Sequence, residues 1–176
     1  MRKIVFVVGG ARSGKSTYAV DLARESGQKV VFLATCTFCD EEMDARIKRH
    51  QESRPASWDV VNEGTNIAAV LAKSQHPDTT VLIDCLGMWV FNLMEEYAQD
   101  TPVEAEFQKF IQTFKDVQGQ VIIVSNEVGS GLVPEHASGR RFRDLLGRLN
   151  QMVAKAADTV VLMQVGIPTI LKQAKG

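Results

Sequence analysis

The tightest constraint on this chain lies within its first seventeen residues. Val5-Phe6-Val7-Val8 is an apolar run rich in β-branched residues, and it passes directly into Gly9-Gly10-Ala11-Arg12-Ser13-Gly14-Lys15-Ser16. The run reads as a buried strand, and the eight residues after it satisfy G-x-x-x-x-G-K-[ST] at every fixed position. Glycine is required because it accepts φ > 0 and carries no Cβ to block a triphosphate. The amides on such a path face inward as an anion nest, backed by the positive end of the helix expected to start near Lys15. Lys15 supplies a mobile charge for the β- and γ-phosphates, and the Ser16 hydroxyl is placed to ligate Mg²⁺. A chance Gly-rich turn lacks the strand before and the helix after. The stretch predicts a nucleoside-triphosphate site.

The rest of the chain supplies what such a loop needs around it. Helical spacing of Ala19, Leu22 and Ala23 predicts a helix over 16–26, with Gly27 ending it. Val30–Ala34, Thr80–Asp84, Gln120–Ser125 and Thr159–Val165 read as further buried strands, the last of these as the final long strand, and Trp58–Glu63 as a short extended piece. Helices are expected over 40–50, 65–73, 86–97, 103–117 and 139–157. The first of these has acids in its opening turn and bases in its last, which complements the helix dipole. Residues 126–138, with Gly129, Gly131 and Pro134, form a loop too long for a plain connector, and such loops are usually functional. Strands without polar alternation, separated by helices, imply an α/β fold: a mostly parallel β-sheet with helices on both faces. Ligands of such sheets sit at the carboxyl ends of the strands. At 176 residues, with no repeat or linker, the chain reads as one domain over 1–176.

Composition removes several functional classes. Apolar residues make up 45% and charged residues 23%, an ordinary globular balance, and a net charge of −1 gives no electrostatic reason to expect nucleic acid. No apolar run approaches the ~20 residues that span a bilayer. A leader cleaved from the N-terminus would remove the phosphate loop, and three cysteines suit no disulfide framework, so a cytoplasmic chain is expected. Cys36-Thr37-Phe38-Cys39 has C-x-x-C spacing, but Cys85, His50, His76 and His136 are too scattered to complete a zinc site. Two loop cysteines without a shared task is the better reading.

Asp84 closes an apolar strand, where phosphate-loop proteins place the acid that holds Mg²⁺; a strand-end turn residue is the plainer alternative. His50 alone reads as a packed or solvated residue. Arg46 one turn earlier, Arg49 beside it and Arg54 beyond it suit a phosphate-bearing ligand, and a neutral imidazole can attack phosphorus. Spacing does not separate nucleophile from surface histidine. Glu127 is open between positioning a nucleophile, binding metal and capping a turn. Arg140-Arg141-Phe142-Arg143 reads equally as a phosphate clamp or a solvated helix face.

Taken together, the blocks resemble one family. Gly9–Ser16, Asp40-Glu41-Glu42-Met43 with Arg46-Ile47 and His50, and Arg54-Pro55 with Trp58 are similar to the bifunctional adenosylcobinamide kinase / adenosylcobinamide-phosphate guanylyltransferases. So are Asn126-Glu127-Val128-Gly129-x-Gly131-x-Val133-Pro134, Arg141-Phe142-Arg143-Asp144 and Gly147-x-x-Asn150-Gln151. The resemblance implies a RecA-like P-loop NTPase fold, a homotrimer and a place late in cobalamin assembly. It implies two reactions: phosphorylation of adenosylcobinamide by a nucleoside triphosphate, ATP or GTP, then GMP transfer from GTP to that phosphate. The guanylyl group is implied to pass through a covalent histidine, His50. Nucleotide contacts are implied at Gly9, Gly10, Ala11, Arg12, Ser13, Gly14, Lys15 and Ser16. They are also implied at Ala34, Thr35, Cys36, Gln51, Glu52, Ser53, Arg54, Glu63 and Asp84. Two departures stand out: Gly87 replaces the small hydroxyl residue expected after the acid strand, and Cys39 is unusual for its segment. The competing readings are a monofunctional small-metabolite kinase with a structural His50, and a RecA-type nucleotide-dependent switch.

Overall fold

In a computed structural model of the chain, which describes residues 3–36 and 55–174, the apolar runs form the sheet the sequence predicts. The strands are β1 (Lys3–Gly9), β2 (Lys29–Ala34), β3 (Asp59–Asn62), β4 (Thr79–Asp84), β5 (Gln120–Asn126), β6 (Thr159–Gln164) and β7 (Ile167–Gln173). The helices among the described residues are α1 (Lys15–Glu25), α2 (Ile67–Lys73), α3 (Leu86–Glu96), α4 (Asp100–Thr113) and α5 (Ala137–Ala156). The strand order is β3-β2-β4-β5-β1-β6-β7. Every pairing is parallel except β6 with β7, which is antiparallel.

Alternation explains why the strands are apolar throughout. Successive side chains of a strand point to opposite faces. In β1, Ile4, Phe6 and Val8 join the core beneath α2–α5, while Val5 and Val7 join the core beneath α1. Both faces are covered, so the central strands are apolar except near their ends, where Thr79, Thr80 and Ser125 are buried. The larger core is keyed by Trp89, whose ring meets Phe107 and Phe110 at centroid distances of 5.5 and 5.2 Å. Phe110 in turn meets Phe114 edge-on at 5.0 Å.

Two expectations need correction. α4 begins at Asp100 rather than Val103, because Pro102 sits in the first turn, where its missing N–H costs nothing. β6 is also not the last strand. The chain reverses through Val165 and Gly166 and returns as β7, every residue of which is exposed. Pro168 within that run speaks against a central strand and fits the sheet edge that β7 occupies. β7 is tied down at its far end by Lys172. Its Nζ donates to the carbonyls of Ala154, Lys155 and Ala157 at 3.0, 2.9 and 2.6 Å, capping the C-terminus of α5 with a cation.

Candidate nucleotide site

Parallel strands bring their carboxyl ends to one edge, and the predicted loop lies in the middle of it. Gly9 ends β1 and is paired with Asn126 of β5 on one side and Met163 of β6 on the other. The fit is close: a Cβ on Gly9 would stand 2.5 Å from the Met163 carbonyl oxygen and 2.6 Å from Ser13 Oγ. Arg12 and Gly14 take positive φ (55° and 90°), which turns the loop into a cradle before α1 begins at Lys15. Ser13 is buried, and its hydroxyl has no hydrogen-bond partner among the described residues. Lys15, only 5% exposed, folds its Nζ back to donate to the Gly10 carbonyl at 3.1 Å. A buried ammonium beside a loop that leads into a helix N-terminus is a site for an anion.

Asp84 stands at the end of β4, half-buried, separated from β1 by β5 alone. Thr35 and Glu63 prove to belong to one braced assembly on that side. The Thr35 hydroxyl donates to the Cys85 carbonyl at 2.7 Å and accepts from the Cys85 amide at 2.9 Å. Asn92 Nδ2 donates to the Thr35 and Gly64 carbonyls at 2.8 and 2.9 Å. Glu63 Oε1 accepts the Thr65 and Asn66 amides, both at 2.8 Å, and its own amide bonds the Ala34 carbonyl. Those backbone donors, Asn66 first and then Thr65, hold the Glu63 carboxyl below its ordinary pKa. Burial, with the Asp84 carboxylate adding to it, pushes the Cys85 thiol up to about 11 and keeps it protonated at neutral pH. Neither Cys36 nor Cys85 is in a disulfide.

Asn92 was not anticipated. Its signal was one polar residue at an inward position of an otherwise apolar helix, and it ties the end of β2 to the turn after β3. Asn150 plays the same part on the other side. It accepts from Ser125 Oγ at 2.6 Å and donates to the Asn126 carbonyl at 3.0 Å, fixing the end of β5.

Over 127–143 the structure shows turn-capping and helix-anchoring contacts. Glu127 caps a turn, accepting the Gly129 and Ser130 amides at 2.7 and 3.3 Å, while its own amide bonds the Gly9 carbonyl. Arg140 donates to the Pro134 and Glu135 carbonyls. Arg141 bonds Asp100 and the Tyr97 carbonyl at 2.7 and 2.9 Å. A Cβ at Gly87 would meet Asn126 and Cys85 at 3.7 Å, so a serine side chain there is sterically admissible. The structure thus brings Gly9–Ser16, Ala34–Cys36, Glu63 and Asp84 to one edge. His50, Gln51, Glu52, Ser53 and Arg54, together with Cys39, lie outside the described residues.

Ser16 and Asp84 are the residues that could hold a Mg²⁺ ion. Among the described residues no three His, Cys, Asp or Glu groups converge. One hydroxyl (Ser16) and one carboxylate (Asp84) match an ion that keeps its waters and arrives on substrate phosphates. No helix among the described residues is long and apolar enough to cross a membrane.

Comparison with known proteins agrees with this geometry. The family model described as cobinamide kinase / cobinamide phosphate guanyltransferase matches residues 5–171. The chain is 36% identical over 181 residues to the bifunctional adenosylcobalamin biosynthesis protein CobU of Escherichia coli K12, covering 96% of this chain and 99% of that one. It is 38% identical over 168 residues to the corresponding CobP of Pseudomonas aeruginosa, covering 94% and 95%. Among solved structures, the RadB recombinase superposes with a TM-score of 0.54 at 14% identity, over 91% of this chain and 73% of that one. An ATPase of a type III secretion system gives 0.58 at 11% identity, over 96% and 56%. Identities that low speak for the RecA-like fold alone.

Proposed function

Because this chain belongs to the cobinamide kinase / cobinamide phosphate guanyltransferase family, we propose that one phosphate cradle serves two successive transfers. In the first, the hydroxyl of adenosylcobinamide attacks the γ-phosphorus of ATP or GTP, and the nucleoside diphosphate leaves. In the second, a ring nitrogen of His50 attacks the α-phosphorus of GTP. The bond to pyrophosphate breaks, leaving a guanylyl-histidine. The phosphate of adenosylcobinamide phosphate then attacks that phosphorus, the P–N bond breaks, and adenosylcobinamide-GDP departs with the imidazole restored. Splitting the reaction this way exchanges one difficult displacement for two easier ones.

The chain's own residues supply position and charge. The loop amides of Gly9–Ser16 hold the β- and γ-phosphates, and Lys15 Nζ, now on the Gly10 carbonyl, moves onto them. Mg²⁺ carried on the triphosphate would be held by Ser16 and Asp84 and would offset charge on the leaving group. Ala34–Cys36, Gln51–Arg54 and Glu63 receive the guanosine of the second donor. The observation that carries this reading is the buried Lys15 inside a strand–loop–helix cradle, in a chain that matches the family over 5–171.

The same reading makes the protein a cytoplasmic homotrimer with one nucleotide-binding domain over 1–176. Exposed Ile167, Ile170 and Leu171 on β7 offer apolar surface for contact between copies. Incubating the purified chain with adenosylcobinamide, ATP and GTP tests the function. Adenosylcobinamide phosphate and then adenosylcobinamide-GDP, with one pyrophosphate per GDP product, are expected. Phosphorylated cobinamide that never accepts GMP would leave a kinase only.

A further inference from the structure

The turn between β6 and β7 is built from the wrong residue for folding. Val165 and Gly166 both have positive φ, 47° and 82°, the conformation of a two-residue hairpin turn whose first position prefers Asn or Asp. A β-branched residue there is strained, and this one is also 88% exposed, so burial does not compensate. Strain of that kind clusters at active sites and ligand clamps.

The turn lies against the phosphate loop. Gly166 N donates to the Ser13 carbonyl at 3.0 Å, and a Cβ on Gly14 would stand 3.3 Å from Gly166 Cα. Gly14 caps α1, so the Val165–Gly166 turn stands immediately beside the cradle, with Val165 exposed. Sheet order then fixes which end of a nucleotide it would meet. Asp84 lies on the β4–β5 side of β1, and β6 lies on the other. A triphosphate whose γ end faces the metal acid, as γ-transfer requires, places its nucleoside toward β6.

We propose that the Val165–Gly166 turn is the nucleoside wall of the kinase-step donor: Gly166 braces the loop, and the Val165 methyls pack on the ribose and base. This rests on the two-step reading above. The kinase step brings γ to the acceptor hydroxyl, whereas the guanylyl step brings α to His50 before the acceptor phosphate takes the guanylyl group. The donor's nucleoside therefore leaves toward β6 for the kinase step and toward Ala34–Cys36 and Glu63 for the guanylyl step.

The test compares wild type with Val165→Asn, a substitution the turn favours. Magnesium-bound adenosine 5′-[β,γ-imido]triphosphate and inorganic tripolyphosphate are each titrated by calorimetry, and the ligand-free thermal midpoint is recorded. An adenosine donor is used because it takes no part in guanylyl transfer. The expected result is a Kd for the adenosine analogue raised about tenfold, a tripolyphosphate Kd within about twofold of wild type, and a midpoint at or above wild type. Equal analogue affinity in the two proteins overturns the proposal. So does equal weakening of both ligands, which would leave the turn a brace only. Wild type binding the analogue no tighter than tripolyphosphate, or a lowered midpoint in the variant, also overturns it. Failure of the two-step reading would show elsewhere, as wild type unable to phosphorylate adenosylcobinamide.

Discussion

At the scale of single residues, the site works by holding charges where water cannot dilute them. Lys15 is buried and bonded to a loop carbonyl, so its ammonium is already desolvated when a triphosphate arrives. Lys15→Ala is expected to lower the rates of both the kinase and the guanylyl step by about 10²-fold or more, read from product formation at saturating nucleotide. Glu63 is a case where protonation reports structure. Its pKa is depressed in the folded chain, so its contribution is full above its ordinary value of 4.5 and lost as pH falls through the lower folded value. Urea denaturation should therefore show wild type more stable than Glu63→Gln by about 1 kcal/mol at pH 7, with the gap closing below the folded pKa. A gap that persists in strong acid contradicts the assignment. The phosphate loop was legible residue by residue, because its chemistry is local: eight consecutive positions carry it. Thr35 was legible as a position but not as a role, since its hydroxyl is committed to Cys85, a contact fifty residues away in sequence.

At the scale of elements, what the sequence showed depended on how much each segment's pattern is its own. β1, β2, β4, β5 and β6 are continuous apolar runs and were readable at once. β7 was not, because an exposed edge strand buries nothing that would force a pattern on it, and Pro168 interrupts the run. Its anchor is legible only in three dimensions. Lys172→Met should cost about 1 kcal/mol by uncapping α5, measured as a shift in the urea midpoint. Asn92 is the stronger lock. Asn92→Leu removes the donor that ties the ends of β2 and β3 and strands two carbonyls, with an expected loss of about 1–3 kcal/mol. Nucleotide affinity should weaken with it if the braced assembly positions Ala34–Cys36. An unaltered affinity in a destabilised variant would confine Asn92 to folding.

At the scale of the whole molecule, the sheet sorts the chemistry by side. β5 and β6 flank the cradle, Asp84 and the Glu63 assembly lie beyond β5, and the strained Val165 turn lies beyond β6. The fold is shared with a recombinase and a secretion ATPase, and fold likeness alone says little about activity. The central claim is that GTP held in this cradle passes its guanylyl group to His50. The direct measurement is incubation of wild type and His50→Ala with magnesium and GTP labelled at the α-phosphate, followed by denaturing separation of protein from nucleotide. The account predicts acid-labile, alkali-stable label on wild type, one equivalent at most per chain, and none on His50→Ala; label retained by a folded His50→Ala protein would contradict it.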